Sequence, residues 1–168
     1  MKCVRFIFMI CIWLYLVYPG SALSFCFDEA ARTYNINPLL LQAIATVESN
    51  NHPYAINVNK NGRSVKTVYP TSKKSAIEQI KNLDRLGYNY DIGIGQINVK
   101  NIKGYGMDPK ELFEPCKNLH ASAMLLKGLI DRYGYTWDAI WRYNGSRDYA
   151  LKVYEKIKVM KKNPDISK

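Results

Sequence analysis

Residues 38–49 read Pro38-Leu39-Leu40-Leu41-Gln42-Ala43-Ile44-Ala45-Thr46-Val47-Glu48-Ser49, and the reading of this stretch decides the fold. Its apolar residues recur at helical spacing. Asn37 is a favourable N-cap, and Pro38 suits the first helical position, where its missing N–H would find no partner anyway. Asn50, Asn51 and Pro53 then close the helix. Leu41, Ile44 and Glu48 stand at i, i+3 and i+7 and share one face. The one acid of the segment therefore sits on the apolar stripe, in the last turn. Apolar neighbours desolvate a carboxyl there, and the negative end of the helix dipole repels its charge; both favour the neutral form. A carboxylic acid that stays protonated near neutrality is what a general acid needs to protonate a leaving oxygen. The plainer alternative is an exposed glutamate on a frayed helix end.

Outward from this helix, the 168 residues fit one domain preceded by an export signal. Lys2 and Arg5 precede an unbroken apolar run of 13 residues, Phe6 to Tyr18. That run is short of the ~20 residues a membrane span needs, but matches the apolar core of a secretory signal. Ala22 and Ser24 fit the small residues before a cleavage site, which predicts a signal over 1–24 and a domain over 25–168. Cleavage after Ala22 and an uncleaved anchor are the alternatives. Cys26 and Cys116 are the two cysteines left after the signal, and an even pair in an exported chain predicts one disulfide. Two thiols, His52 and His120, with no His-Glu-x-x-His pattern, give no reason to expect a metal. No cofactor motif is seen either: Gly93-x-Gly95 lacks the strand-turn-helix setting of a nucleotide site. The whole chain carries 24 basic against 14 acidic residues, a net +10. Such a charge suits an anionic polymer such as cell wall, a membrane face or nucleic acid. The basic cluster Lys156 to Lys162 reads as a solvated helix end.

Along the rest of the chain, Asp28 is expected to cap a short helix through Tyr34. Tyr54 to Val58 and Ser64 to Tyr69 flank Lys60-Asn61-Gly62, a strong hairpin signal. A helix starting at Thr71, Ser72 or Ser75 carries Ile77, Ile80 and Leu83 and ends near Gly87. Tyr88 to Asn98, with glycines at 93 and 95, reads as a strand lining a groove. The longest helix is expected from Pro115 or Cys116 to Tyr133, with Leu119, Ala123, Leu126 and Ile130 as its stripe. Two more follow, from Thr136 to Tyr143 and from about Arg147, the last carrying Tyr149, Val153 and Ile157 on its stripe. The fold class is α+β, mostly helical, with a small β-hairpin region beside a helical core.

Three separated signatures line up on this frame: Glu48-Ser49, Gly93-Ile94-Gly95-Gln96-Ile97-Asn98, and Tyr143-Asn144-Gly145. Between them lie Pro115-x-x-Asn118-Leu119 and Arg132-Tyr133-Gly134. In order and spacing the chain resembles the lytic transglycosylases of lysozyme-like fold. It is most similar to the small specialised members that accompany secretion, conjugation and pilus machines. The resemblance implies a periplasmic enzyme of a Gram-negative bacterium that cleaves the β-1,4 bond between N-acetylmuramic acid and N-acetylglucosamine in peptidoglycan glycan strands and leaves a 1,6-anhydro end. The partners implied are those strands and components of a secretion or conjugation machine. Nucleic acid is not among them, and membrane contact is through the export signal alone.

Residue by residue, the resemblance makes Glu48 the catalytic acid and base. It makes Ser49, Gln96, Tyr143 and Asn144 substrate-binding, with Tyr143 hydrogen-bonded to the catalytic carboxyl and Asn144 supporting the same corner. The plain alternatives are core packing for Tyr143 and an edge-strand surface position for Gln96. Two departures from the family pattern stand out. Gly95 replaces a methionine, which is expected to widen the groove, and Arg142 replaces an alanine and is expected to face solvent, with contact to an acidic stem peptide as the alternative. A hydrolytic muramidase on the same fold is the nearest rival. Asp91 would supply its second carboxylate, although a turn or cap at the strand start is the commoner role for Asp. A non-catalytic wall-binding module is the reading from another class.

Overall fold

A computed structural model of the chain describes residues 19–163. The expected signal falls, over residues 1–18, outside them. Helix α1 (Pro19–Thr33) leads into α2 (Pro38–Ser49), and a four-stranded sheet and the remaining helices follow. Helix α1 starts nine residues before the expected Asp28, which lies inside it as an ordinary helical residue. No proline or glycine stands between Ser21 and Thr33 to stop a helix, and Phe27, Ala30 and Ala31 bury one face of it. Cys26 of α1 is joined to Cys116, 90 positions later, with Cα atoms 5.0 Å apart. The expected disulfide is present and ties the first helix to the start of the longest one. Among the described residues, no helix is long and apolar enough to cross a membrane.

Helix α2 forms as its sequence predicts. The Asn37 side chain accepts from the Leu39 N–H at 2.9 Å, Pro38 takes the first turn, and Asn50 ends the helix in the left-handed region with φ 53°. Leu41 and Ile44 are fully buried. They belong to a helical core with Leu119 and Leu126 of α5 (Pro115–Tyr133), Ile140 of α6 (Trp137–Asn144), and Tyr149 and Val153 of α7 (Arg147–Lys162).

The sheet has the antiparallel order β2-β1-β3-β4, from strands β1 (Ile56–Lys60), β2 (Arg63–Val68), β3 (Asn89–Ile92) and β4 (Ile97–Asn98). Asn61 and Gly62, both at positive φ, make the tight turn between β1 and β2. Helix α3 (Lys73–Arg85) is capped by Ser72, whose hydroxyl accepts from the Ser75 N–H at 3.2 Å. A short α4 (Val99–Lys103) and a single 3₁₀ turn at Glu111–Phe113 precede α5. Ile56, Ile80, Tyr90, Ile92, Ile102 and Phe113 form a second core under the sheet. Tyr143 packs against both cores. It marks the junction at which the functional cleft opens.

The strand expected over Tyr88 to Asn98 is broken. It stops at Ile92, and residues 93–96 form a turn in which the Gln96 N–H donates to Gly93 O at 3.2 Å. Gly93 has φ +75°, and a Cβ there would lie 2.1 Å from Asn118 Nδ2. Gly93 is thus required both by its backbone conformation and by the close approach of α5.

Candidate active site

A cleft of about 710 Å³ runs between the sheet and α5–α6, lined among others by Glu48, Asn57, Asp91, Gln96, Tyr143 and Asn144. It continues past Glu48 and Tyr69 into a second hollow beside His52, whose ring meets that of Tyr69 at 5.2 Å between centroids. A trough extending to both sides of one carboxyl suits an extended polymer, with the reacting bond in the middle.

Glu48 reaches this floor because α2 ends there. The left-handed Asn50 and Asn51 turn the chain away at once. Part of its surface stays open to the cleft, yet the surrounding atoms desolvate the carboxyl enough to push its pKa up from 4.5 to about 7. The nearby negative charge of Asp91 adds to the rise. The Tyr149 hydroxyl works the other way, favouring the charged carboxylate. Its approach stops short of full hydrogen-bond geometry, and that buried hydroxyl has no other partner among the described residues. Burial, and then the charge of Glu48, keep both Tyr149 and Tyr143 neutral well beyond the ordinary phenol range.

Tyr143 does not make the contact expected of it. Its hydroxyl donates to Gly95 O at 2.9 Å, while its ring stacks on Tyr149 at 6.3 Å between centroids. The phenol facing Glu48 is Tyr149, a residue that sequence reasoning placed only on the stripe of the last helix. No local pattern separates it from a packing residue.

The turn carrying Gln96 is held from below. Asn118, fully buried in α5, donates to Ile92 O at 3.0 Å and to Leu112 O at 2.9 Å, and accepts from the Gly95 N–H at 2.7 Å. Gln96 itself sits at φ 47° and donates its amide to Gly93 O at 2.8 Å and Ala55 O at 3.2 Å. Both donors are directed to backbone, so its carbonyl oxygen is the acceptor left for the cleft.

The chain also compares with known proteins. Residues 25–164 match the family model described as the transglycosylase SLT domain. The chain belongs to the transglycosylase SLT domain family. It is a lytic transglycosylase on that ground, and its mostly helical, lysozyme-like fold agrees with the architecture described above. Invasion protein IagB of Salmonella typhimurium is 28% identical over 170 residues, covering 94% of this chain and 89% of its own length. Protein IpgF of Shigella sonnei is 32% identical over 145 residues, covering 83% and 75%. Type IV secretion system protein virB1 of Brucella abortus is 38% identical over 117 residues, covering 70% of this chain and 45% of itself.

In this transglycosylase, Ser49 is buried and its hydroxyl is committed to backbone. It donates to Ile94 O at 2.8 Å and accepts from the His52 N–H at 3.1 Å, tying the end of α2 to the 93–96 turn. Gly95 does not widen the groove. A Cβ there would lie 1.8 Å from Ser122 Oγ and 3.1 Å from the Tyr143 hydroxyl, so neighbours already fill the space a larger side chain would take. Arg142 is not directed at bulk solvent either. It lies on the cleft wall over the rings of Tyr133 and Trp141, at 4.1 and 4.2 Å, with Nη2 3.3 Å from Asp138. Asn144, exposed beside Tyr143, lines the cleft at its α6 end.

Proposed function

We propose that this transglycosylase cleaves the β-1,4 bond between N-acetylmuramic acid and N-acetylglucosamine, with Glu48 as acid and then base. The observation that carries the reading is a carboxyl with a pKa near 7 on the floor of an elongated cleft. The Glu48 proton passes to the glycosidic oxygen, the bond from C1 to that oxygen breaks, and the N-acetylglucosamine end leaves as an alcohol. The Glu48 carboxylate then takes the proton of the muramoyl C6 hydroxyl as that oxygen bonds to C1. The acid is restored and a 1,6-anhydro end forms. One group serves both steps because its proton affinity is close to that of the medium. A two-carboxylate glycosidase instead needs a second group to act as nucleophile or to activate water; here the nucleophile belongs to the substrate.

Gln96, through its free carbonyl, and Asn144 bind sugar amides and hydroxyls, Tyr143 shapes the wall between them, and Ser49 acts from below by fixing the turn. The enzyme works on glycan strands in the periplasm, after export by the signal over 1–24, and opens the wall for a secretion or conjugation apparatus. The names of its relatives, an invasion protein and a type IV secretion system protein, support that setting. Mass analysis of the fragments released from purified peptidoglycan tests the chemistry: 1,6-anhydro ends are expected, and reducing muramic acid ends would replace this reading with hydrolysis.

A further inference from the structure

Asp91 stands in the same cleft as Glu48 under very different conditions. The sheet register lines up Thr67, Asn57, Asp91 and Asn98, one from each strand, in a single row. Residues directly opposite one another on neighbouring strands have their side chains on one face, and all four of these line the cleft. Asn57 Nδ2 and Asn59 Nδ2 donate to Asp91 Oδ2 at 3.0 and 2.7 Å, and Asn98 Nδ2 donates to Oδ1 at 2.6 Å.

The direction of these bonds is set by the neighbours of the amides. Asn98 Oδ1 accepts from the Lys100 backbone N–H at 3.0 Å, so its NH₂ group is the part turned to Asp91. Asn57 Oδ1 accepts from the hydroxyls of Ser64 and Thr67, and Asn59 Oδ1 accepts from Asn57 Nδ2. Three groups that can only donate therefore meet both oxygens of Asp91, an arrangement that suits the anion. Three of roughly four lone-pair positions are occupied, which leaves little for taking a proton from water.

We propose that Asp91 is a charge-positioning residue of this cleft: fixed by the amides of Asn57, Asn59 and Asn98, its anion stabilises the positive charge that develops at the anomeric carbon, and it does not activate water. The inference rests on the function proposed above. A preorganised charge acts strongly on a developing opposite charge because it need not reorient during the reaction. The same charge favours the protonated form of Glu48. The other titratable groups around Glu48 are Tyr69 just after β2, Tyr143 of α6, Tyr149 of α7 and His52 of the loop after α2, with Tyr105 after α4, Arg132 of α5 and Arg142 of α6 along the cleft.

The test is kcat, KM and the pH profile of lysis of purified peptidoglycan by the full domain, for Asp91→Asn and Asp91→Glu, each first checked for cooperative thermal unfolding. Asp91→Asn is expected to lower kcat roughly 100-fold with KM little changed. It should also move the alkaline limb to lower pH, and the products should keep their anhydro ends. Asp91→Glu retains the charge and is expected to keep the wild-type limb and recover most of kcat. Equal damage in both variants with an unmoved limb would make Asp91 merely structural, and wild-type behaviour of Asp91→Asn would make it silent; either overturns the proposal. So would reducing ends from the wild type that vanish in Asp91→Asn, since Asp91 would then be the base that activates water. If Asp91→Asn does not fold, Asp91→Glu alone decides: an unmoved limb with most of kcat retained supports the proposal, and a limb displaced to lower pH or a kcat lowered roughly 100-fold overturns it. Failure of the underlying reading shows separately, as lysis retained by Glu48→Gln.

Discussion

Glu48 at the end of a helix and Asp91 inside a sheet line one cleft, and their surroundings differ in every respect. The helix end offers Glu48 apolar neighbours and a tyrosine hydroxyl that stops short of bonding it, so the proton is retained to about pH 7. The sheet offers Asp91 three amide donors on two oxygens. Two side chains of the same chemical type are thereby assigned different work by environment alone. An under-solvated carboxyl holds and releases a proton, whereas a saturated one holds still.

Glu48→Gln probes the first member of the pair most directly. Lysis of purified peptidoglycan is expected to fall by at least ~10³-fold, in the upper part of the usual range for a single proton-transfer group, because this group acts in both steps. Lysis rates close to wild type would break the comparison. The same variant carries a stability prediction of definite sign. The folded carboxyl binds its proton more tightly than the unfolded one, so Glu48 stabilises the fold below about pH 4.5, and that contribution is lost as pH rises through about 7. Glutamine has no such loss. Thermal melts at pH 8 should show the variant more stable by up to ~3 kcal/mol, while at pH 4 the two proteins should melt together.

Asn118→Ala removes what supports the 93–96 turn. It leaves the Gly95 N–H and two carbonyls without partners in a closed interior, at a cost of about 3 kcal/mol or more. A lowered melting temperature together with a raised KM is expected, because Gln96 rides on that turn; an unchanged melt would show that the turn holds itself. The smallest effect is expected from Tyr149→Phe. Removing the hydroxyl withdraws a nearby group that favours charged Glu48, so the alkaline limb of activity should move to higher pH, opposite to the shift expected for Asp91→Asn. Shifts in the same direction for both variants would contradict the assigned roles.

Much of the frame is legible along the chain because its causes are local. Asn37-Pro38 starts α2, Asn61-Gly62 turns the hairpin, and Leu119, Ala123, Leu126 and Ile130 mark the buried face of α5. Elsewhere the causes lie far away in sequence. The break after Ile92 depends on Asn118 reaching up from α5, and on a glycine whose missing Cβ lets that helix approach. Tyr149 reads as one stripe residue among others until α7 folds back beside α2.

From sequence alone come the helix that ends in Glu48 and the hairpin, set by periodicity, capping and turn chemistry within reach of a few residues, together with the bridged cysteines, read from their even count, and the family signatures, read from the order of short motifs along the chain. Tertiary structure alone decided which tyrosine faces the acid, that Ser122 and Tyr143 already fill the space beside Gly95, that Ser49 serves the backbone, and that Asp91 is held by three asparagines. Each of these depends on strand register or helix packing, which bring together groups that no local pattern connects.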